Sequence, residues 1–283
     1  LQERDIQSIG FVMDTGLRTL PLSTLHDGNQ YLVENYSLGL LPSFSLTDID
    51  STRISHEQFE NTKVLAMGAS EFQNQSALPA VSEEISLITE KLWEGDAFLN
   101  RDFVLKNLQE QLQQEDYGIV HLATHAIFES GDLDKSYIQL WEEKLYLNQL
   151  SELELDQEDI SLIILSACNT ALGDHNAEYG FAGLAVGAGS PSALASLWPI
   201  SDEGTLGFMT QFYSQLKEAP VRTEALRQAQ LKLINGEVGI ANGTIYGPDN
   251  EEIVTLEALE ESGHWNFSHP FYWSPFTRIG NPW

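Results

Sequence analysis

Cysteine is the scarcest informative residue in this 283-residue chain, with Cys168 standing alone. A single thiol forms no internal disulfide, so a reducing cytoplasm is the expected setting and the thiol is free for chemistry. Basic residues are also few: 14 Lys plus Arg face 42 Asp plus Glu, a formal net charge of −28. Nucleic-acid binding needs a basic face to neutralise phosphates, and this composition leaves little material for one. No apolar run approaches bilayer length, so no membrane partner is expected. The opening Leu1-Gln2-Glu3-Arg4-Asp5 lacks the basic and apolar regions of a secretion signal, and a start on Leu reads as part of a longer polypeptide. Gly187-Ala188-Gly189 lacks the third glycine of a dinucleotide fingerprint, and no Gly-x-Ser-x-Gly elbow is present. His264 and His269 lack neighbours of ligand type. Neither metal nor cofactor is therefore expected, and no internal repeat suggests a solenoid.

What the chain does have is 42% hydrophobic residues, ample for a packed core, and two apolar runs that each end on a reactive side chain. Residues 117–126 contain His121 and His125, and residues 160–170 contain Cys168. Continuous β-branched runs of this kind read as strands buried on both faces. In an open parallel sheet the residues just past the carboxyl ends form the ligand crevice, so His125 and Cys168 are expected to meet there. A thiol beside an imidazole gives up its proton to it. The resulting thiolate attacks a carbonyl, and the imidazolium protonates the leaving group. Histidine before cysteine at this separation matches the order in caspase-type proteases.

The pattern along the chain predicts an α/β fold. Short strand signals at 10–14, 17–22 and 31–36, with a turn at Asp27-Gly28, give a β-rich entry over 1–60. Strands are expected at 63–68, 97–100 and 192–198, and helices at 80–94, 102–114, 178–188, 202–217 and 221–235. That alternation predicts right-handed βαβ units and a mostly parallel sheet. Residues 236–264 read as a surface insertion with turns at Asn242-Gly243 and Gly247-Pro248 and a short helix at 254–261. A last strand at 271–279 is expected at a sheet edge because it contains Pro275.

Six stretches in this order carry a family resemblance. They are 17–22 with Leu25-His26-Asp27-Gly28, His121-Leu122-Ala123-Thr124-His125, Leu165-Ser166-Ala167-Cys168-Asn169-Thr170, Ala195-Ser196-Leu197-Trp198-Pro199, 224–230, and His269-Pro270-Phe271-Tyr272-Trp273. Together the chain resembles the CHAT family, caspase-like proteases associated with tetratricopeptide repeats. The wording at 136–141 and 181–185 is similar to its cyanobacterial heterocyst-differentiation (HetF) type. The resemblance implies a caspase-like three-layer sandwich and a cysteine endopeptidase of the caspase, separase and gingipain clan. It also implies a protein substrate and an N-terminal regulatory region, repeat-like or other, outside this chain. His125 and Cys168 match the family dyad. The family usually has Gly after the histidine, where this chain has Ala126.

On this reading Cys168 is the nucleophile, His125 the base and then the acid, and the backbone N–H groups of Cys168 and Ala126 the oxyanion hole. His121 is the rival base, but it lies four residues back, roughly 13 Å at strand rise, inside the sheet. Asp202, just past the strand after Cys168, is the first candidate for the floor of an S1 pocket that takes Arg or Lys. The competing reading is a helix N-cap with Ser201. Glu178, Asp132 and Asp174 are further candidates, each read first as a solvated loop charge. Trp198 walls the cleft or fills core. The acidic surface serves solubility or draws a basic substrate segment. A caspase-like scaffold without turnover is the alternative to an enzyme.

Overall fold

The computed structural model describes residues 6–13, 17–41, 59, 61–129, 132, 134–153, 155, 160–166, 169–170, 186, 189–219, 221–257 and 263–281. The chain runs β1 (Ser8–Phe11), α1 (Leu32–Asn35), β2 (Ser37–Leu40), β3 (Lys63–Gly68), α2 (Ala80–Ser86), β4 (Gly95–Leu99), α3 (Leu105–Gln114) and β5 (Tyr117–Ala123). Next come β6 (Ala126–Phe128), β7 (Tyr137–Gln139), β8 (Lys144–Tyr146), β9 (Leu162–Leu165), β10 (Asn169–Thr170) and β11 (Ser192–Ser196). Helices α4 (Asp202–Leu216) and α5 (Arg222–Ile234) follow, then β12 (Gly239–Ala241), β13 (Thr244–Tyr246), β14 (Glu252–Thr255), β15 (His264–Asn266), α6 (Pro270–Trp273) and β16 (Phe276–Gly280).

An eight-stranded sheet in the order β1-β2-β16-β11-β9-β5-β3-β4 is the centre of the fold. Every neighbouring pair runs parallel except β11 with β16. The mostly parallel α/β sheet predicted from the alternation is therefore present. Its faces follow from the period of two along each strand. Ile119 and Ala123 of β5 join Val64 and Ala66 of β3 in one core with residues of α2, α4 and α5. Val120 and Leu122 join Leu65 and Met67 in the other core, with Leu108 and Leu112 of α3 and with Leu145, Leu147, Leu150, Leu153 and Leu155. Gly68 at the end of β3 lets this strand close on β5, because a Cβ there would stand 2.5 Å from the Ala123 carbonyl oxygen.

Several local expectations are overturned by tertiary contacts. Residues 17–22 form a turn, closed by Leu20 N–H to Leu17 O at 3.1 Å and by Arg18 Nε to Met13 O at 2.9 Å. The strand expected at 31–36 is instead the helical turn α1. Arg227 of α5 donates from Nε to Val33 O at 2.8 Å and from Nη2 to Glu34 O at 2.5 Å, capping carbonyls that a short helix leaves unpaired. Strand β16 sits between β11 and β2 rather than at an edge. Pro275 falls just before the strand begins, so no ladder hydrogen bond is lost, and its carbonyl accepts from Leu197 N–H at 2.9 Å.

Strands β12 to β15 form a separate four-stranded antiparallel sheet, in the order β14-β13-β12-β15. Val254 and Thr255 are part of β14, not a helix. Asn242 and Gly243, with φ of 49° and 79°, make the tight turn between β12 and β13. Ile240 and Ile245 of this sheet, and Phe267 just after it, are fully buried in the core that α4 joins. The helix expected at 178–188 lies outside the described residues except Val186 and carries no further statement.

Candidate active site

His125 stands in the bend between β5 and β6, at the carboxyl edge of the central sheet. Its Nε2 lies 2.8 Å from the carbonyl oxygen of Ser76. A carbonyl only accepts, so Nε2 carries the proton and Nδ1 is left with the lone pair, ready to take one. The ring also packs on Phe72, 4.7 Å between centroids. The peptide on its other side is tied down as well, since His125 O accepts from Gln139 N–H at 2.9 Å. A base held at three points in one tautomer fits general base chemistry.

Cys168 lies outside the described residues, as do Glu178 and Asp174. The residues flanking it are described. Leu165 pairs with Leu122, three residues before His125, and Asn169 pairs with Ile127, two residues after it. Ala126 is buried and stands opposite Ile138 of β7. The neighbouring pair of His125 with Gln139 carries the hydrogen bond, so the alternation of an antiparallel ladder directs the Ala126 N–H away from β7, to the side where β10 lies.

His121 is fully buried, on the strand face that packs under α2 and α4. Nδ1 is 3.0 Å from the Tyr213 hydroxyl and Nε2 is 2.9 Å from Glu84 Oε1, with Glu84 only 1% exposed. Both ring nitrogens are thus occupied inside the core. Removing the ring leaves a buried carboxylate without its partner, which typically costs about 3–5 kcal/mol. His121→Ala is expected to lose stability on that scale in denaturant unfolding while the folded fraction keeps measurable turnover. A variant of unchanged stability and no turnover would make His121 the base.

Asp202 opens α4 at the same sheet edge. The cap is Ser201, whose hydroxyl accepts from Gly204 N–H at 3.3 Å. The Asp202 carboxylate reaches instead to another helix and accepts from Ala80 N–H at 2.5 Å. The link from β3 to α2 therefore holds His125 at Ser76 and Asp202 at Ala80, four residues further on. Burial pushes the Asp202 carboxyl up to about 7, the Ala80 N–H opposes this, and Glu84 and Glu203 add to it. Trp198 is half-buried between β11 and α4, with its indole N–H donating to Phe271 O at 3.1 Å. Asp132 is paired with Lys135 at 2.8 Å, which holds its carboxyl below the usual range, and it bonds its own turn rather than His125 or Asp202.

A cavity of about 210 Å³ opens on the Phe72 side of the histidine, with Gln139, Tyr137 and Trp141 on its wall. The sequence reading missed Ser76, Phe72, Glu84 and Tyr213. Ser76 acts through its carbonyl and leaves no side-chain signal. Glu84 was discoverable, because it falls on the apolar stripe of Ala80, Val81, Ile85 and Ile88. Among the described residues no group of three or more His, Cys, Asp or Glu is placed to hold a metal ion, and no helix is long and apolar enough to cross a membrane.

A model of the CHAT domain matches residues 1–281. No curated protein sequence matches the chain. Among solved structures, the crystal structure of the Saccharomyces cerevisiae separase–securin complex contains a similar fold, with a TM-score of 0.55 at 12% identity. The match covers 94% of this chain and 15% of that one, so the chain spans a small part of the length of its structural neighbour.

Proposed function

The chain belongs to the CHAT-domain family, of caspase-like fold, and on that premise we propose that it is a cysteine endopeptidase in which His125 and Cys168 cleave a protein substrate after a basic residue. The observation that carries this reading is the double register around the histidine: the partners of Leu122 and Ile127 are Leu165 and Asn169, which enclose Cys168. The thiol proton passes to Nδ1 of His125 while Ser76 O keeps Nε2 protonated and the ring in place. The thiolate adds to the scissile carbonyl, whose oxygen takes hydrogen bonds from the N–H groups of Cys168 and Ala126. The C–N bond then breaks as His125 returns the proton to the amine. Water hydrolyses the remaining thioester by the same route.

Asp202 is the partner proposed for the basic P1 side chain, with Trp198 at the rim. Substrate is a polypeptide, and regulation is assigned to regions outside this chain. Within the family the heterocyst-differentiation type is the proposed subgroup.

A peptide electrophile ending in Arg tests the activity. Labelling of Cys168 that disappears in His125→Ala is the expected result. Equal labelling of both proteins, with no turnover in either, would instead mark the chain as a scaffold. The net charge of −28 gives a second test. If it steers a basic substrate, kcat/KM falls as salt shrinks the Debye length from about 10 Å to about 3 Å. A flat profile assigns the charge to solubility alone.

A further inference from the structure

Beneath Asp202 lies a buried polar chain that the mechanism does not use. Glu84 follows Ala80 by one helical turn, and the Ala80 N–H is the group that Asp202 accepts from. Its Oε1 is engaged by His121, which in turn meets Tyr213, a residue of the helix that Asp202 begins. Its Oε2 is buried and has no hydrogen-bond partner. Burying a carboxylate oxygen without a partner is costly, and its persistence calls for an explanation.

We propose that Glu84 is the positioning residue of the S1 site, a second buried carboxylate, held by His121 where Tyr213 anchors the ring, that makes the site around Asp202 selective for a positively charged P1 side chain. This rests on the reading of Asp202 as the S1 partner. The groups that act on Asp202 are the Ala80 N–H and Glu84 from α2 and Glu203 from its own helix, while His121 of β5 bonds Glu84 and Tyr213 of α4 bonds His121. Burial is the first cause that disfavours the charge of Asp202, and the Glu84 carboxylate adds to it. An incoming guanidinium offsets both, so Asp202 releases its proton as the substrate binds. Below neutrality this release competes with binding, and selectivity for a basic residue weakens.

The test compares peptide aldehydes ending in Arg and in citrulline, its neutral isostere. Their inhibition constants are measured from about pH 5.5 to pH 9, and their ratio divides out titration of the dyad. The ratio is expected to favour Arg increasingly as pH rises through about 7, where Asp202 ionises. In Glu84→Gln, whose amide oxygen keeps an acceptor for His121, the midpoint is expected to move to lower pH, because the raising charge of Glu84 is gone while burial of Asp202 remains. An unmoved midpoint in a folded Glu84→Gln protein overturns the proposal. Should that variant not fold, the combined changes Glu84→Met, His121→Leu and Tyr213→Phe replace the buried polar chain with apolar groups and give the same readout. Asp202→Asn separates the two ideas. If it leaves the Arg-to-citrulline ratio unchanged, the S1 assignment fails. If it collapses the ratio while removal of Glu84 does not shift the midpoint, only the role of Glu84 fails.

Discussion

Cys168→Ala and His125→Ala each remove proteolysis, by roughly 10⁴-fold or more, and the double variant is no slower than either single one. The two side chains act as a unit: without the imidazole the thiol keeps its proton, and without the thiol the imidazole has no nucleophile to activate. His125 is half-buried and gives up one hydrogen bond, to Ser76 O, together with the Phe72 contact. Loss of such a bond costs about 1 kcal/mol, so the His125 variant stays folded and its inactivity reports chemistry. Mass spectrometry of a diverse peptide pool measures the effect. Undiminished cutting by folded His125→Ala would reject the dyad.

Asp202→Asn is expected to separate stability from function. Asparagine keeps an oxygen for the Ala80 N–H but offers no charge to a basic P1 residue. Cleavage after Arg should fall by about 10²-fold or more, the loss typical of a charged pair deprived of one partner. Alkylation of Cys168 by a small neutral reagent should not change. Stability moves the other way. Burial first, then Glu84 and Glu203, raise the folded carboxyl from 3.8 to about 7. The protonated form is thus favoured in the folded chain, and the contribution of Asp202 is fully present below pH 3.8 and is lost as pH rises through 7. A rise of this size corresponds to about 4 kcal/mol at pH 8, so Asp202→Asn should be more stable than the parent there, on the order of a few kcal/mol. Near pH 4 the two should converge. Denaturant unfolding at both pH values checks this, and equal stability at pH 8 would mean that the parent carboxylate is well solvated.

The parts of the fold legible in the sequence were those whose signal is local and repeated. β3, β5, β9 and β11 are runs of buried apolar residues, and the helices α2 and α3 before β5 carry periodic apolar faces, so a mostly parallel sheet followed from alternation alone. The strand error at 31–36 has a different origin. Those six residues have strand-forming composition, and the helical turn depends on a guanidinium from Arg227, 194 residues from Val33 in sequence. The edge assignment of β16 failed because Pro275 was counted inside the strand, whereas the first ladder residue is Phe276.

For the site, the sequence by itself determined which reactive groups exist and in what order: one thiol, two histidines four residues apart, and an aspartate after the following strand. It also placed His125 just past a strand end, because the apolar run of β5 stops where the sheet stops. Which nitrogen of His125 is free, which helix Asp202 bonds, and that His121 is locked between Glu84 and Tyr213 were decided only by the tertiary structure. Those facts depend on a backbone carbonyl at Ser76, a backbone N–H at Ala80 and an acid on a buried helix face. Backbone groups are the same at every residue and carry no identity in sequence. A tautomer or an ionisation state belongs to the distances between elements, and these exist only once the sheet has brought its helices together.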